Sequence, residues 1–294
     1  MKPQHLGLAL LITLLWGFNF VAAKTALDHF PTFEMLLLRF VLLAVLLFPF
    51  LRVPRDKIGP VVAVGFMVGV LHFSLNFSGL GMSGDVSSAA IATQLFIPFG
   101  AILAVIFLGE RIGLWRTVAI AVAFAGTVVI SFDPVVVNHL DALLVVVIST
   151  VPMAITTIML RRLTGVGPMQ VQAWTAVVGI PAYFILTILF ESGQIEAIRT
   201  ATLGPVAGIV YAAVAGSIVG HGGLYFLLKR YPVTWVNPLF LLAPVFAVFF
   251  GVTVYGDQPT LQIVVGGFMT IAGVAIIAIR SARKGRPIPE KAAP

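Results

Sequence analysis

Ten apolar runs follow one another along this chain, each bounded by proline, glycine or charge. They cover residues 6–28, 32–52, 58–80, 84–108, 113–131, 139–160, 168–191, 203–228, 232–255 and 259–280. About 20 apolar residues in a helix cross the hydrocarbon core of a bilayer. In that medium each backbone N–H and C=O must be bonded internally, which helices achieve and open strands do not. The runs therefore predict an all-α polytopic membrane protein of ten transmembrane helices joined by short loops. Charged residues make up 10% of the chain, too few to solvate a further domain. The first run resembles a secretory signal at its start, with Lys2 ahead of an apolar core. It continues through Asn19 to Lys24, so an uncleaved first helix is expected.

Basic residues set the expected orientation. With the N-terminus inside, the inner segments hold 15 Lys and Arg, the outer ends hold only Lys24 and Arg199, and Arg39 lies within the second run. That asymmetry predicts cytoplasmic N- and C-termini. It also accounts for the net charge of +7 through membrane-facing loops rather than through nucleic-acid binding. The chain has no cysteine, which excludes disulfides, thiolate nucleophiles and Cys-bound metals. It has no Walker A sequence, so it does not use ATP through that motif.

The chain also repeats itself. At a shift of 147, Gly109-Glu110 falls on Gly256-Asp257 and Ala125-Gly126 on Ala272-Gly273. Near the starts of the third and eighth runs, Gly59-Pro60-Val61 matches Gly204-Pro205-Val206 at a shift of 145. The unit is five runs long, so its two copies, residues 1–131 and 139–280, enter the membrane from opposite sides. Secondary transporters are built this way, with the site near the midplane between the halves. Residues 281–294 read as a polar, disordered cytoplasmic tail.

Polar residues inside the apolar runs identify the site, because each needs a partner or a cavity. They concentrate between Leu71 and Phe96, with His72, Ser74, Asn76, Ser78, Ser87, Ser88, Thr93 and Gln94. His72 and Asn76 share a helical face with Gly79; the repeat carries them onto Ser217 and His221. Either histidine could instead satisfy a neighbouring carbonyl. Around His221, Gly216 and Gly220 form a close-packing GxxxG, and Gly222 and Gly223 are open between packing and making room for a substrate. The first run presents Trp16, Asn19 and Phe20 on one face. Gln94 with Pro98 recurs as Asn237 with Pro238 and Pro244, which predicts irregular backbone facing a cavity. Thr156 and Thr157 near Pro152, Gln170 and Trp174, and Tyr211 and Tyr225 complete the polar set. Arg39 and Glu34 are charges that could meet a substrate; Glu34 near the outer end reads as solvated, and Arg39 reads first as structural, paired with carbonyls or snorkelling.

All eleven carboxylates fall away from the centres of the runs. Neither a proton-carrying carboxylate nor a cation cage is expected at mid-membrane, and no metal or cofactor. If transport is proton-coupled, His72 and His221 are the mid-membrane groups that titrate near neutrality. No loop gathers acidic and histidine residues at one interface, which argues against a membrane-embedded enzyme.

Trp16 to Lys24 (WGFNFVAAK), Leu38–Phe40 (LRF), Leu108–Gly113 (LGERIG) and Leu241–Thr260 (LLAPVFAVFFGVTVYGDQPT) resemble the EamA family of the drug/metabolite transporter superfamily, nearest in appearance to bacterial amino-acid exporters of the YddG kind. The resemblance runs from about Leu6 to Arg280. It implies two inverted five-helix repeats around a central cavity, in the inner membrane. The second repeat departs by carrying Gly256-Asp257-Gln258 where the first has Gly109-Glu110-Arg111, as loops on opposite membrane faces would. The expected function is a monomeric secondary transporter exporting amino acids or similar small amphipathic metabolites. The alternatives are a broad drug/metabolite carrier or an uncoupled facilitator or channel.

Overall fold

The computed structural model describes residues 1–83, 86–131, 139–255 and 260–283. Asp85, Asp133, Gly256-Asp257-Gln258 and the tail from Lys284 lie outside the described residues, as do the side chains of Ser87 and Ser88. The described residues are helical throughout, joined by short loops, with no strand among them. The elements are α1 (Pro3–Leu27), α2 (Thr32–Phe50), α3 (Arg55–Met82), α4 (Val86–Thr93), α5 (Phe96–Leu108), α6 (Leu114–Ser131), α7 (Leu140–Arg162), α8 (Pro168–Phe190), α9 (Gln194–Thr200), α10 (Leu203–Leu228), α11 (Val233–Val254) and α12 (Leu261–Arg283). Among the described residues seven helices are long and apolar enough to cross a membrane: α1, α2, α3, α7, α8, α10 and α11.

Three features differ from the expectation. The run 84–108 is two helices, broken at Gln94-Leu95. Pro98 has no N–H to offer the Gln94 carbonyl, which accepts from Ile97 N instead at 3.0 Å. The loop between the seventh and eighth runs holds the short helix α9, seated by His29 Nε2 against the Ala197 carbonyl at 2.8 Å. The last helix reaches Arg283, so the tail begins as helix rather than as disordered chain at 281.

Helix α1 packs on α10 and α11; α2 packs on α8, α3 on α7, and α6 on α12. Small residues set these distances, because a lipid solvent gives helices no hydrophobic reason to associate and close packing must supply it. A Cβ on Gly17 would lie 2.4 Å from Phe246 Cβ, and one on Gly208 2.4 Å from the Ala22 carbonyl. The pair matched by the repeat, Gly126 and Gly273, lies in a single interface. A Cβ on Gly126 would meet Gly266 O at 2.5 Å, and one on Gly273 would meet Ala119 O at 2.6 Å.

Candidate functional site

Local irregularities of the backbone shape the centre of the bundle. Helix α3 widens to π geometry over Gly65–His72, and α10 does so over Ala212–His221. Each π segment closes on a histidine. Such bulges turn carbonyls out of the helical ladder, where side chains can take them. Gly216 O receives both Trp16 Nε1 at 3.2 Å and His221 Nδ1 at 2.9 Å. Ser217 O receives Gln172 Nε2 at 2.9 Å, and Gly69 O receives the Tyr183 hydroxyl at 2.5 Å. In α11, Pro238 and Pro244 withhold their N–H groups, and the backbone tightens to 3₁₀ over Asn237–Leu242.

A cavity opens among these segments. It is lined by Trp16, Asn19 and Phe20 of α1, Arg39 of α2, His72, Phe73, Asn76 and Phe77 of α3, Thr93, Gln94 and Phe96 around the α4–α5 break, Met153 of α7, His221 of α10 and Ala243 of α11. His72 Nδ1 faces the Ser149 carbonyl at 2.8 Å. A carbonyl only accepts, so Nδ1 carries the proton in both histidines and Nε2 is left as an acceptor. The histidines thus satisfy neighbouring carbonyls and line the cavity as well. Asn76 donates to Thr93 Oγ1 at 2.8 Å and to Ser149 Oγ at 3.4 Å, fixing α3 against α4 and α7. The glycines beside the site serve it sterically. A Cβ on Gly220 would lie 2.3 Å from Trp16 Nε1, and one on Gly216 2.6 Å from Asn19 Oδ1. Gly222 and Gly223 pack against Met169 and Ile12.

Seven of the expected side chains meet at this cavity: Trp16, Asn19, Arg39, His72, Asn76, Gln94 and His221. Six are placed elsewhere. Trp174 Nε1 donates to the Leu51 carbonyl at 3.0 Å, tying α8 to the end of α2. Thr156 bonds back to the Pro152 carbonyl at 2.8 Å within its own helix. Ser217 Oγ faces Arg39 Nη2 at 2.8 Å, one layer behind the lining. Tyr225 stands behind His221, ring centroids 6.2 Å apart, and Asn237 is buried over Gly100. Glu34 is 2% exposed rather than solvated, with no hydrogen-bond partner on either oxygen. Sequence reasoning overlooked Ser149, Met153, Phe96 and Ala243. Ser149 had a signal: it lies seven residues, two helical turns, before Thr156 and just ahead of Pro152.

Two glutamates clasp helix N-termini in other parts of the bundle. Glu191, after α8, accepts from Phe33 N at 2.7 Å and Glu34 N at 3.0 Å. Glu110, after α5, accepts from Val233 N at 2.8 Å, Thr234 N at 3.0 Å and Thr234 Oγ1 at 2.7 Å. Pro31 and Pro232 occupy the two N-cap positions and offer no capping side chain, so the carboxylates satisfy the free N–H groups and the positive helix ends. Among the described residues no group of three His, Asp or Glu is placed to hold a metal ion.

The sequence profile of the EamA-like transporter family matches twice, over residues 5–132 and 140–279. A protein of Escherichia coli (strain K12) described as a "Probable amino-acid metabolite efflux pump" is 27% identical over 248 residues, covering 81% of this chain and 82% of that one. A "Probable terminal-alkyne amino-acid exporter" of Streptantibioticus cattleyicolor is 26% identical, covering 97% of each. One solved crystal structure superimposes with a TM-score of 0.76 at 18% identity, covering 97% of this chain and all of that one, and so shares the fold.

Proposed function

The chain belongs to the EamA-like transporter family, and from that premise we propose that it exports amino acids or similar small amphipathic metabolites across the bacterial inner membrane. The observation that carries this reading is the cavity. It gathers Asn, Gln, His and Arg side chains within helices that are otherwise apolar, and aromatic rings of Phe and Trp complete its wall. Polar groups in such a position need either one another or a cargo. An amphipathic cargo matches both kinds of surface at once.

In this reading ten helices cross the membrane as two inverted repeats, residues 1–131 and 139–280, with α4 and α5 forming one discontinuous span. The termini are cytoplasmic, the protein acts as a monomer, and no catalytic group, metal or cofactor takes part. The cavity opens alternately to each face while its walls exchange contacts at the two ends. Discontinuous helices at the site, such as α4–α5, are a known means of presenting free backbone groups to a cargo.

The test is flux in proteoliposomes, with a panel of amino acids and with or without a proton gradient. His72→Ala, Asn76→Ala and Gln94→Ala are expected to reduce flux while the variants still fold and insert. Parent-level flux in all three would sink the cavity assignment. Unsaturable flux that shows no counterflow would replace the carrier with a channel.

A further inference from the structure

We infer that Arg39 is the carboxylate-binding residue of the cavity, opposed by acceptors that take an ammonium group, so that the site recognises the zwitterionic end of an amino acid. This rests on the transport reading above and names the chemistry of the same site.

Arg39 lies in the second helix at 1% exposure. Its guanidinium makes one hydrogen bond, from Nη2 to Ser217 Oγ at 2.8 Å. Nε and Nη1 are buried without a hydrogen-bond partner, and the side chain lines the cavity. Among the described residues the ion pairs are Lys24–Asp28 and Lys57–Asp56, so no carboxylate among them neutralises Arg39. Partial compensation comes from aromatic faces, with the guanidinium carbon 4.5 Å from the Phe73 ring centroid and 5.1 Å from that of Phe77. A structural strut between α2 and α10 would need only the Ser217 bond. Nη2 has a second N–H, and with the unpartnered Nε or Nη1 it makes one edge of the planar guanidinium, the pair of parallel donors that matches the two oxygens of a carboxylate.

The acceptors are placed to complete the pattern. Asn19 Oδ1 and Gln94 Oε1 are also buried and unpartnered, and both side chains line the cavity. The Nε2 lone pairs of His72 and His221 add two more acceptors. The space above Gly216 relates the two halves of the pattern: a Cβ there would be 2.6 Å from Asn19 Oδ1 and 3.8 Å from Arg39 Nη2. The guanidinium thus stands close to an acceptor without a donor. An α-amino acid offers a carboxylate to the guanidinium and, one carbon away, an ammonium to such acceptors. The side chain of the cargo is left to Trp16, Phe73, Phe77 and Phe96, which impose shape but little polarity.

The test is competition against counterflow of labelled amino acids in proteoliposomes, using each carried amino acid, its amide and its decarboxylated amine. In the parent protein the free acid competes, and the amide and amine are weaker by about tenfold or more, the scale of losing a buried charge-assisted pair. Arg39→Gln is expected to abolish that ratio, and Arg39→Lys to restore part of it, because a structural role would lower all three ligands in parallel. Equal competition by acid, amide and amine in the parent protein overturns the inference and leaves the transport reading intact; this arm needs no variant to fold. If no amino acid is carried but other carboxylates are, with Arg39→Gln abolishing their advantage over the amides, the amino-acid reading fails and the role of Arg39 stands.

Discussion

At the scale of single residues, the structure separates side chains that line the cavity from those that lie outside it. Trp174 is the clearest case. Its indole N–H is committed to the Leu51 carbonyl, away from the lining. Trp174→Phe is therefore expected to cost about 1 kcal/mol of stability, the worth of one hydrogen bond, and to leave apparent affinity for the cargo unchanged in a flux assay. Gly220 is the opposite case, a residue with no side chain that controls one. Gly220→Ala places a Cβ 2.3 Å from Trp16 Nε1. The indole must leave Gly216 O, and overpacking of this kind costs about 1–3 kcal/mol. Loss of flux with a red-shifted tryptophan emission is the expected result, and parent-like emission would show that Trp16 does not move. The candidate residues were legible because a polar atom inside an apolar run must find a partner, so Asn19, His72, Asn76 and Gln94 declared themselves. Ser149, Met153 and Ala243 were not, because a serine can satisfy itself on its own helix, as Ser149 Oγ does at Val146 O, 2.6 Å away, and apolar lining residues look like all other apolar residues.

At the scale of elements, the two glutamate clasps join parts of the chain that are far apart in sequence. Glu191 holds the start of α2, and Glu110 holds the start of α11. In the proposed topology the first lies at the outer face and the second at the inner face. Each links a helix to the start of its counterpart in the other repeat. Replacing either glutamate by Ala removes a cap and a helix-dipole partner, together worth about 1–2 kcal/mol. The chain has no cysteine, so Thr93→Cys gives a single reporter in the cavity wall. With that reporter, Glu110→Ala is expected to speed labelling by an impermeant maleimide added on the cytoplasmic side. Glu191→Ala is expected to speed it from the other side. Faster labelling from the same side in both variants would contradict the assignment of the clasps to opposite faces. The break in α4–α5 belongs to this scale too. Proline was visible at position 98, but not whether it would kink one helix or begin a second. Backbone bonding decided that, because the Gln94 carbonyl turned to Ile97 N.

At the scale of the molecule, the repeat is carried by close-packed interfaces rather than by the cavity. Gly126 and Gly273 pair α6 with α12. Gly126→Leu would press on the Gly266 backbone and is expected to lower stability by about 1–3 kcal/mol or more, read as a lower unfolding temperature. Reporter domains fused after Met1 and after Pro294 are both expected to be active only in the cytoplasm; termini on opposite sides would rule out an even number of spans. The cavity itself is lopsided. α3 lends it His72, Phe73, Asn76 and Phe77, whereas α10 lends only His221, although the repeat relates them. The π segments explain this: they span Gly65–His72 in one helix and Ala212–His221 in the other, so a constant shift in sequence does not preserve rotation about the helix axis. Hydrophobicity and backbone bonding in lipid are local demands, so the sequence alone determined that the chain is helical, where most helices run, and which polar residues must turn inward. Which of them face one another depends on helix phase, and phase is set by bulges, 3₁₀ turns and contacts between helices distant in the chain. The tertiary structure alone therefore brought Arg39 beside Ser217, sent Trp174 and Thr156 elsewhere, and left the guanidinium facing the cavity without a carboxylate among the described residues.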